Sequence, residues 1–128
     1  MTDINDLTHN LVAPTTQTLA PATRTSSATG TAIDLLSADG KCWALVQVGT
    51  VAGTSPTMTV KVQEGDDSGG TDAADITGAA GAAVTASNKY QIIEFKRTKR
   101  YARAIATIAG TSPNFDVAVA IIGLKKST

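Results

Sequence analysis

Apolar and polar residues alternate in short runs along much of this chain. In residues 57–64 (TMTVKVQE), Met58, Val60 and Val62 point one way while Thr59, Lys61 and Gln63 point the other. That period of two is the mark of a strand with one buried face. Residues 42–48 (CWALVQV) are almost continuously apolar, which predicts a strand buried on both faces. Residues 31–36 (TAIDLL), 90–96 (YQIIEFK), 100–109 (RYARAIATIA) and 115–122 (FDVAVAII) complete the set of predicted strands. Asp39-Gly40 predicts a turn after the first of them. Residues 65–83 are acidic and rich in glycine and alanine, and read as a long connection. Residues 1–30 have no helical period, and Pro14 and Pro21 favour extended backbone. They predict an arm with one short strand around residues 17–20, lying on its own domain or reaching onto a neighbour. The expectation is an all-β protein, with an N-terminal arm over residues 1–30 and a β-sandwich or jelly-roll-like barrel over residues 31–128.

The segment A-G-T-S-P occurs twice, at residues 52–56 and 109–113, 57 positions apart. Sliding the chain by 57 places residues 43–48 on residues 100–105. It also places Met58, Val60 and Val62 on Phe115, Val117 and Val119. The common unit is strand, loop, strand. With a glycine able to take positive φ and a proline before each outgoing strand, it predicts a duplicated hairpin. A repeat of this kind describes a scaffold and carries no chemistry.

Composition changes the picture in two ways. Aromatics are only 4% of residues and much of the hydrophobic fraction is alanine. The core is therefore thin at ~25 cal/mol per Å² buried, and a supporting partner is expected. Net charge is zero but unevenly written: residues 1–95 hold four basic and ten acidic side chains, residues 96–128 seven basic and one acidic. The fold is dipolar unless strands of the two halves interleave. The single cysteine, Cys42, excludes an intrachain disulfide and reads as a small buried hydrophobe. The start MTDINDLTHN has neither the basic nor the apolar region of a signal peptide, and no window is apolar enough for a transmembrane helix. Synthesis in a reducing cytoplasm is expected.

Candidate chemistry is sparse. The only histidine, His9, sits in the arm, and no G-x-S-x-G is present. A Cys–His pair would need Cys42 and His9 to meet, so no enzyme is expected. Glu64, Asp66, Asp67, Asp72 and Asp75 share one loop but lack EF-hand spacing. They read as a solvated acidic loop, with calcium the alternative. No zinc ligand set and no nucleotide-binding glycine motif appears, so no cofactor is expected. The sharpest feature is FKRTKRYAR, residues 95–103, with Lys96, Arg97, Lys99, Arg100 and Arg103 around a strand-to-strand turn and Tyr101. It fits phosphate contacts with a stacking tyrosine, a solvated turn with the arginine stems packed on a sheet, or a patch that docks on an acidic protein surface. Ten acidic residues elsewhere argue against direct nucleic-acid binding.

Three stretches carry a resemblance. NLVAPTTQTLAPATRTSSATGTAIDLL, VKVQEGDDSGG and TKRYARAIATIAGTSP are similar to an Ala-Pro-rich arm with a T-A-hydrophobic-D-L strand, a V-x-V-Q-E-S-D-D-G segment and a K-R-Y-x-R strand. These belong to small β-rich head proteins of tailed bacteriophages. The chain thus resembles the capsid decoration, or cement, proteins over roughly residues 10–123. The resemblance implies a virion protein that binds the outside of the expanded shell and clamps neighbouring major capsid protein subunits. It implies a homo-oligomer, with a trimer favoured and a dimer possible. It implies no membrane and contacts through the arm (Leu11, Val12, Pro14, Leu19, Pro21, Arg24) and the basic turn (Lys96, Arg97, Lys99, Arg100). The acidic loop departs from that pattern. A tail, baseplate or head-fibre component and a carbohydrate-binding β-sandwich are the alternatives; for the latter, Trp43, Tyr90 and Tyr101 are the only Trp or Tyr side chains to stack on a sugar.

Overall fold

The computed structural model of the protein describes residues 11–125 except Ala13 and Thr15. Over these residues the fold is all-β, an antiparallel sheet curled into a half-barrel. Its strands are β1 (Leu11–Val12), β2 (Leu19–Arg24), β3 (Ala28–Thr29), β4 (Ile33–Asp34), β5 (Ala38–Gly65), β6 (Ala74–Ala80), β7 (Lys89–Lys96) and β8 (Tyr101–Lys125). Two of them organise the rest. β5 runs for 28 residues and β8 for 25, and they pair with each other from end to end.

The repeated segment is therefore not a hairpin loop. In a hairpin, residues 42–48 would pair with residues 57–64; instead they pair with residues 117–123. Both A-G-T-S-P segments run on as strand without reversing and meet each other, with Thr54 opposite Thr111. Gly53, Ser55, Gly110 and Ser112 all have positive φ, at 111°, 49°, 121° and 47°. Placed face to face, these residues kink both strands of the ribbon together without reversing either. The pairs Ala52–Asn114 and Thr57–Ala109 exchange under the 57-residue shift, as do Val51–Phe115 and Met58–Ile108. The duplication is thus a local two-fold axis through the Thr54–Thr111 pair.

One residue breaks this symmetry. Beyond the centre the inward side chains Ala44, Val46 and Val48 match Ala102, Ala104 and Ala106, which lie 58 positions away. A register shift between Val48 and Val51 accounts for the difference, because Gly49 and Thr50 both fall opposite Asp116. With that correction Val48–Val117 exchanges with Val60–Ala106, and Val46–Val119 with Val62–Ala104.

Each half of the kinked ribbon carries outer strands. The half containing residues 41–48 is flanked by β7, and by β1 and β2 along β8. The other half is flanked by β6, and by β3 and β4. As far as it is described, the arm lies on its own domain as the edge of the sheet, from Leu11 opposite Leu124 to Thr29 opposite Ile105. Thr18 fastens it there: its buried hydroxyl donates to the Thr31 carbonyl (2.8 Å) and accepts from the Ala104 amide (3.0 Å).

Two expectations are corrected. Residues 65–83 are not all connection, because Ala74–Ala80 forms β6 beside β5 and buries Ala79. Small side chains let it pack closely, and Asp75 ties it to Lys61 (3.0 Å) and Gln63 (2.9 Å). Asp39-Gly40 is not the turn; the chain turns through residues 35–38, where the Ala38 amide reaches the Leu35 carbonyl (2.9 Å), and Gly40 sits in a register shift of β5. The inward residues form one core, in which Phe115, Met58, Leu35 and Ile121 are the large side chains and alanines fill much of the remainder.

Candidate functional site

The basic turn and the acidic loop find each other. β8 pairs with β5, so the basic residues before β8 meet the acidic residues after β5. The Glu64 carboxylate accepts from the Thr98 amide (2.8 Å), the Thr98 hydroxyl (2.7 Å) and the Lys99 amide (3.1 Å), which shapes the turn. Lys99 lies 3.5 Å from Asp66. Arg100 makes two hydrogen bonds to Asp34 (3.1 and 2.8 Å) and covers the Tyr101 ring. Arg97 donates to the carbonyls of Leu36, Ala38 and Lys99, clamping the turn before β5. Arg103 donates twice to Gln63 Oε1. The strands of the two charge halves interleave, and two ion pairs, Lys99–Asp66 and Arg100–Asp34, join the basic half to the acidic one. Of the four turn residues named as contact candidates, Arg97 is bonded to backbone carbonyls alone, Lys99 and Arg100 to carboxylates, and the Lys96 side chain makes no hydrogen bond or ion pair within the described residues.

The arm candidates are scattered. Leu19 is 2% exposed and belongs to the core, as does the packing of Val12 against it. Leu11 and Pro14 are half-buried, and Pro21 is exposed. Arg24 folds back onto the Ala20 carbonyl (2.9 Å). His9 and Asn10 lie outside the described residues. Cys42 is sealed in the core, where burial pushes its thiol up to about 11, so it is no nucleophile near neutral pH.

The acidic side chains serve their own loop. Asp72 accepts from the amides of Asp66 and Asp67, and Asp67 accepts from the amide and hydroxyl of Thr71. Among the described residues no three His, Cys, Asp or Glu side chains are grouped to hold a metal ion. These bonds hold four carboxyls below the usual range: Asp34 through Arg100, Asp67 through Thr71, Asp72 through the Asp66 amide, and Asp75 through Gln63. A lowered folded-state pKa contributes stability that is present above the unfolded value, about 4, and is lost as pH falls through the folded value. Melting temperature is therefore expected to hold from neutral pH to about pH 4 and to drop below it. Asp34→Asn with Asp72→Asn should start from a lower plateau and flatten the drop, read by circular dichroism melts in buffers of graded acidity.

The surface feature that sequence reasoning missed is the outward face of the half-sheet carrying β7. There Trp43 sits between Glu94 and Ile122, Leu45 between Ile92 and Ala120, and Gln47 between Tyr90 and Ala118. Trp43, Leu45 and Ile122 are half-buried, while Tyr90 and Ile92 are 55% and 59% exposed. The equivalent face of the other half is wet. It carries Thr59 opposite Thr107, Lys61 bonded to Asp75 and opposite a half-buried Ile105, and Gln63 between Asp75 and Arg103, with Tyr101 half-buried at its end. The signal was available in residues 42–48 and 90–95, which are apolar at both parities. Reading the first as buried on both faces placed the second layer inside the molecule, where none exists among the described residues.

The described residues contain no helix long and apolar enough to cross a membrane. In comparisons with known proteins, no protein-family model matches the chain and no curated protein matches it.

Proposed function

We propose that this chain is a structural virion protein that binds the outer surface of a bacteriophage capsid and stabilises the shell by bridging major capsid protein subunits. The observation that carries the reading is the unequal pair of faces. Two half-sheets related by an internal two-fold share one backbone design, yet one outward face is apolar and the other is polar. An apolar face that its own fold does not cover gains by burial against a partner, at ~25 cal/mol per Å². The resemblance to decoration proteins supplies the identity of that partner, and implies a homo-oligomer, with a trimer favoured over a dimer. The basic turn and most of the arm candidates are engaged within the molecule, so the contact moves to Trp43, Leu45, Tyr90, Ile92 and Ile122.

The test is co-sedimentation with expanded capsids that lack the protein. Saturation at a fixed number of copies per lattice position is expected. Tyr90→Lys with Ile92→Lys should weaken binding at least ~100-fold, as expected for two anchors of an interface. Both side chains are exposed, so the variant should melt like wild type. Thr59→Lys with Thr107→Lys, on the polar face, should bind as wild type does. Recovery of the protein in tails, or no sedimentation of wild type, overturns the reading.

A further inference from the structure

From the groove beside the bulge at Gly49 we infer that this protein binds a saccharide, with one pyranose ring laid on Tyr90 and its hydroxyls held by Gln47, Asn88 and Asp116. The groove, of about 470 Å³, lies on the outward face of the half-sheet carrying β7, next to the kink, and reaches Pro21 and Ala22 of β2. That size falls within the ~300–1,000 Å³ of small-ligand sites. It lies where one residue breaks the internal two-fold. Gly49 and Thr50 both fall opposite Asp116, and a Cβ at Gly49 would stand 3.3 Å from Asp116 Cβ, so the glycine lets that side chain lie close over β5. The Asn88 amide donates to the Gly49 carbonyl (2.8 Å), and the left-handed backbone of Asn88 (φ 58°) leads the chain into β7.

The side chains around the groove are ones that the fold leaves unused. Tyr90 is 55% exposed and lies opposite Gln47, which in turn lies opposite Ala118. Thr23 donates its hydroxyl to Asp116 Oδ1, which orients the carboxylate and leaves Oδ2 without a donor among the described residues. Gln47 and Asn88 line the groove too, and their side-chain amides have no hydrogen-bond partner among the described residues. The shared scaffold does not require this set. At the two-fold-related positions, in place of Gln47, Tyr90, Asp116 and Ala118, the other half carries Ile105, Thr29, Thr59 and Lys61, and that lysine is bonded to Asp75.

Side-chain type selects the kind of ligand. A sugar hydroxyl both donates and accepts hydrogen bonds. The groove answers with two amides, each able to do both, and with a carboxylate that accepts; Lys89 adds a donor at the rim. A pyranose also has an apolar face of C–H bonds, which packs flat against an aromatic ring, and Tyr90 presents such a ring. An aliphatic ligand would strip water from both amides and the carboxylate without replacing its hydrogen bonds, which costs affinity. The groove shares Tyr90 with the apolar face, yet its occupation needs no capsid, and the free chain serves for the test.

The experiment titrates the isotopically labelled full chain with the methyl glycosides of glucose, galactose, mannose and N-acetylglucosamine, followed by NMR, with glycerol and inorganic phosphate as controls. Saturable shifts with at least one glycoside are expected in the amides of residues 47–49, 88–90 and 116–118 and in the side-chain amides of Gln47 and Asn88. Tyr90→Ala should weaken binding about tenfold, while Tyr90→Phe, which keeps the ring, should stay within about twofold of wild type. Tyr90 is exposed, so both variants should melt like wild type. Asp116→Asn keeps an acceptor for Thr23 and should weaken binding about tenfold through the lost charge-assisted bond. No saturable shift with any glycoside, shifts matched by glycerol, tighter binding of phosphate, shifts confined to other residues, or Tyr90→Phe as weak as Tyr90→Ala overturns the inference. Sedimentation with capsids is read separately. Wild type that binds a glycoside but fails to pellet removes the capsid alone; wild type that pellets but takes no glycoside removes the saccharide site alone.

Discussion

Gly53→Ala and Gly110→Ala are each expected to lower the free energy of unfolding by about 3 kcal/mol or more, by equal amounts, in urea titrations. Two costs add at each position. The φ values, 111° and 121°, lie where a side chain is strained. The new Cβ also meets backbone. At Gly53 it would stand 2.6 Å from the Ser112 carbonyl oxygen and 2.9 Å from Pro113 Cα; at Gly110, 2.8 Å from the Ser55 oxygen and 2.9 Å from Pro56 Cα. Neither neighbour can rotate away, because each belongs to the opposing A-G-T-S-P. Gly78 separates the two costs: its φ is 83°, but a Cβ there meets nothing within 4 Å. Gly78→Ala should therefore lose only about 1 kcal/mol. A hairpin account of the repeat predicts no such coupling, since its two loops would never touch. Equal, large losses at Gly53 and Gly110 beside a small loss at Gly78 support the paired kink; a small loss at either central glycine refutes it.

How far the fold could be read in advance follows from what local sequence encodes. Strand parity was legible wherever one face is buried, as in Met58, Val60 and Val62. The repeat itself was legible, but its geometry was not. Positive φ at a glycine is shared by hairpin turns and by kinked, paired strands, and only the long-range pairing of residues 42–48 decides between them. Gly49 shows the same limit at finer grain. One inserted residue shifts the true correspondence from 57 to 58, and a comparison of letters cannot locate a bulge. β6 escaped notice because glycine and alanine carry little strand propensity; its existence depends on the edge of β5. The basic turn was legible as a cluster, and misleading as a surface. Glu64, Asp34 and Asp66 are over thirty residues away in sequence, so nothing local announced that they would satisfy it. The apolar face depended on knowing that no second layer covers Trp43 and Leu45.

Phe115→Ala is expected to be the most damaging single truncation, at about 3–5 kcal/mol, with its two-fold counterpart Met58→Ala close behind at about 2–5 kcal/mol. Both side chains are fully buried, next to the kink, and lie 57 residues apart in matching positions. Phe115 is one of only two phenylalanines in the chain, and the core it belongs to is rich in alanine, with Ala44, Ala79, Ala102, Ala104 and Ala106 among its members. Alanines have no longer rotamers with which to refill the space, so the cavity stays open and the loss falls at the upper end. Domains of this size hold about 5–15 kcal/mol in total, so the Phe115 variant should stand near its unfolding threshold at physiological temperature. A partner that binds only the folded state restores stability by mass action. Phe115→Ala should then melt far below wild type when free and recover much of the difference when bound to capsids, measured by calorimetry of the two forms. Recovery ties the thin core to the assembly that the apolar face implies. A bound variant that melts as low as the free one shows instead that the core must stand alone, and that the docking face contributes attachment without stabilising the fold.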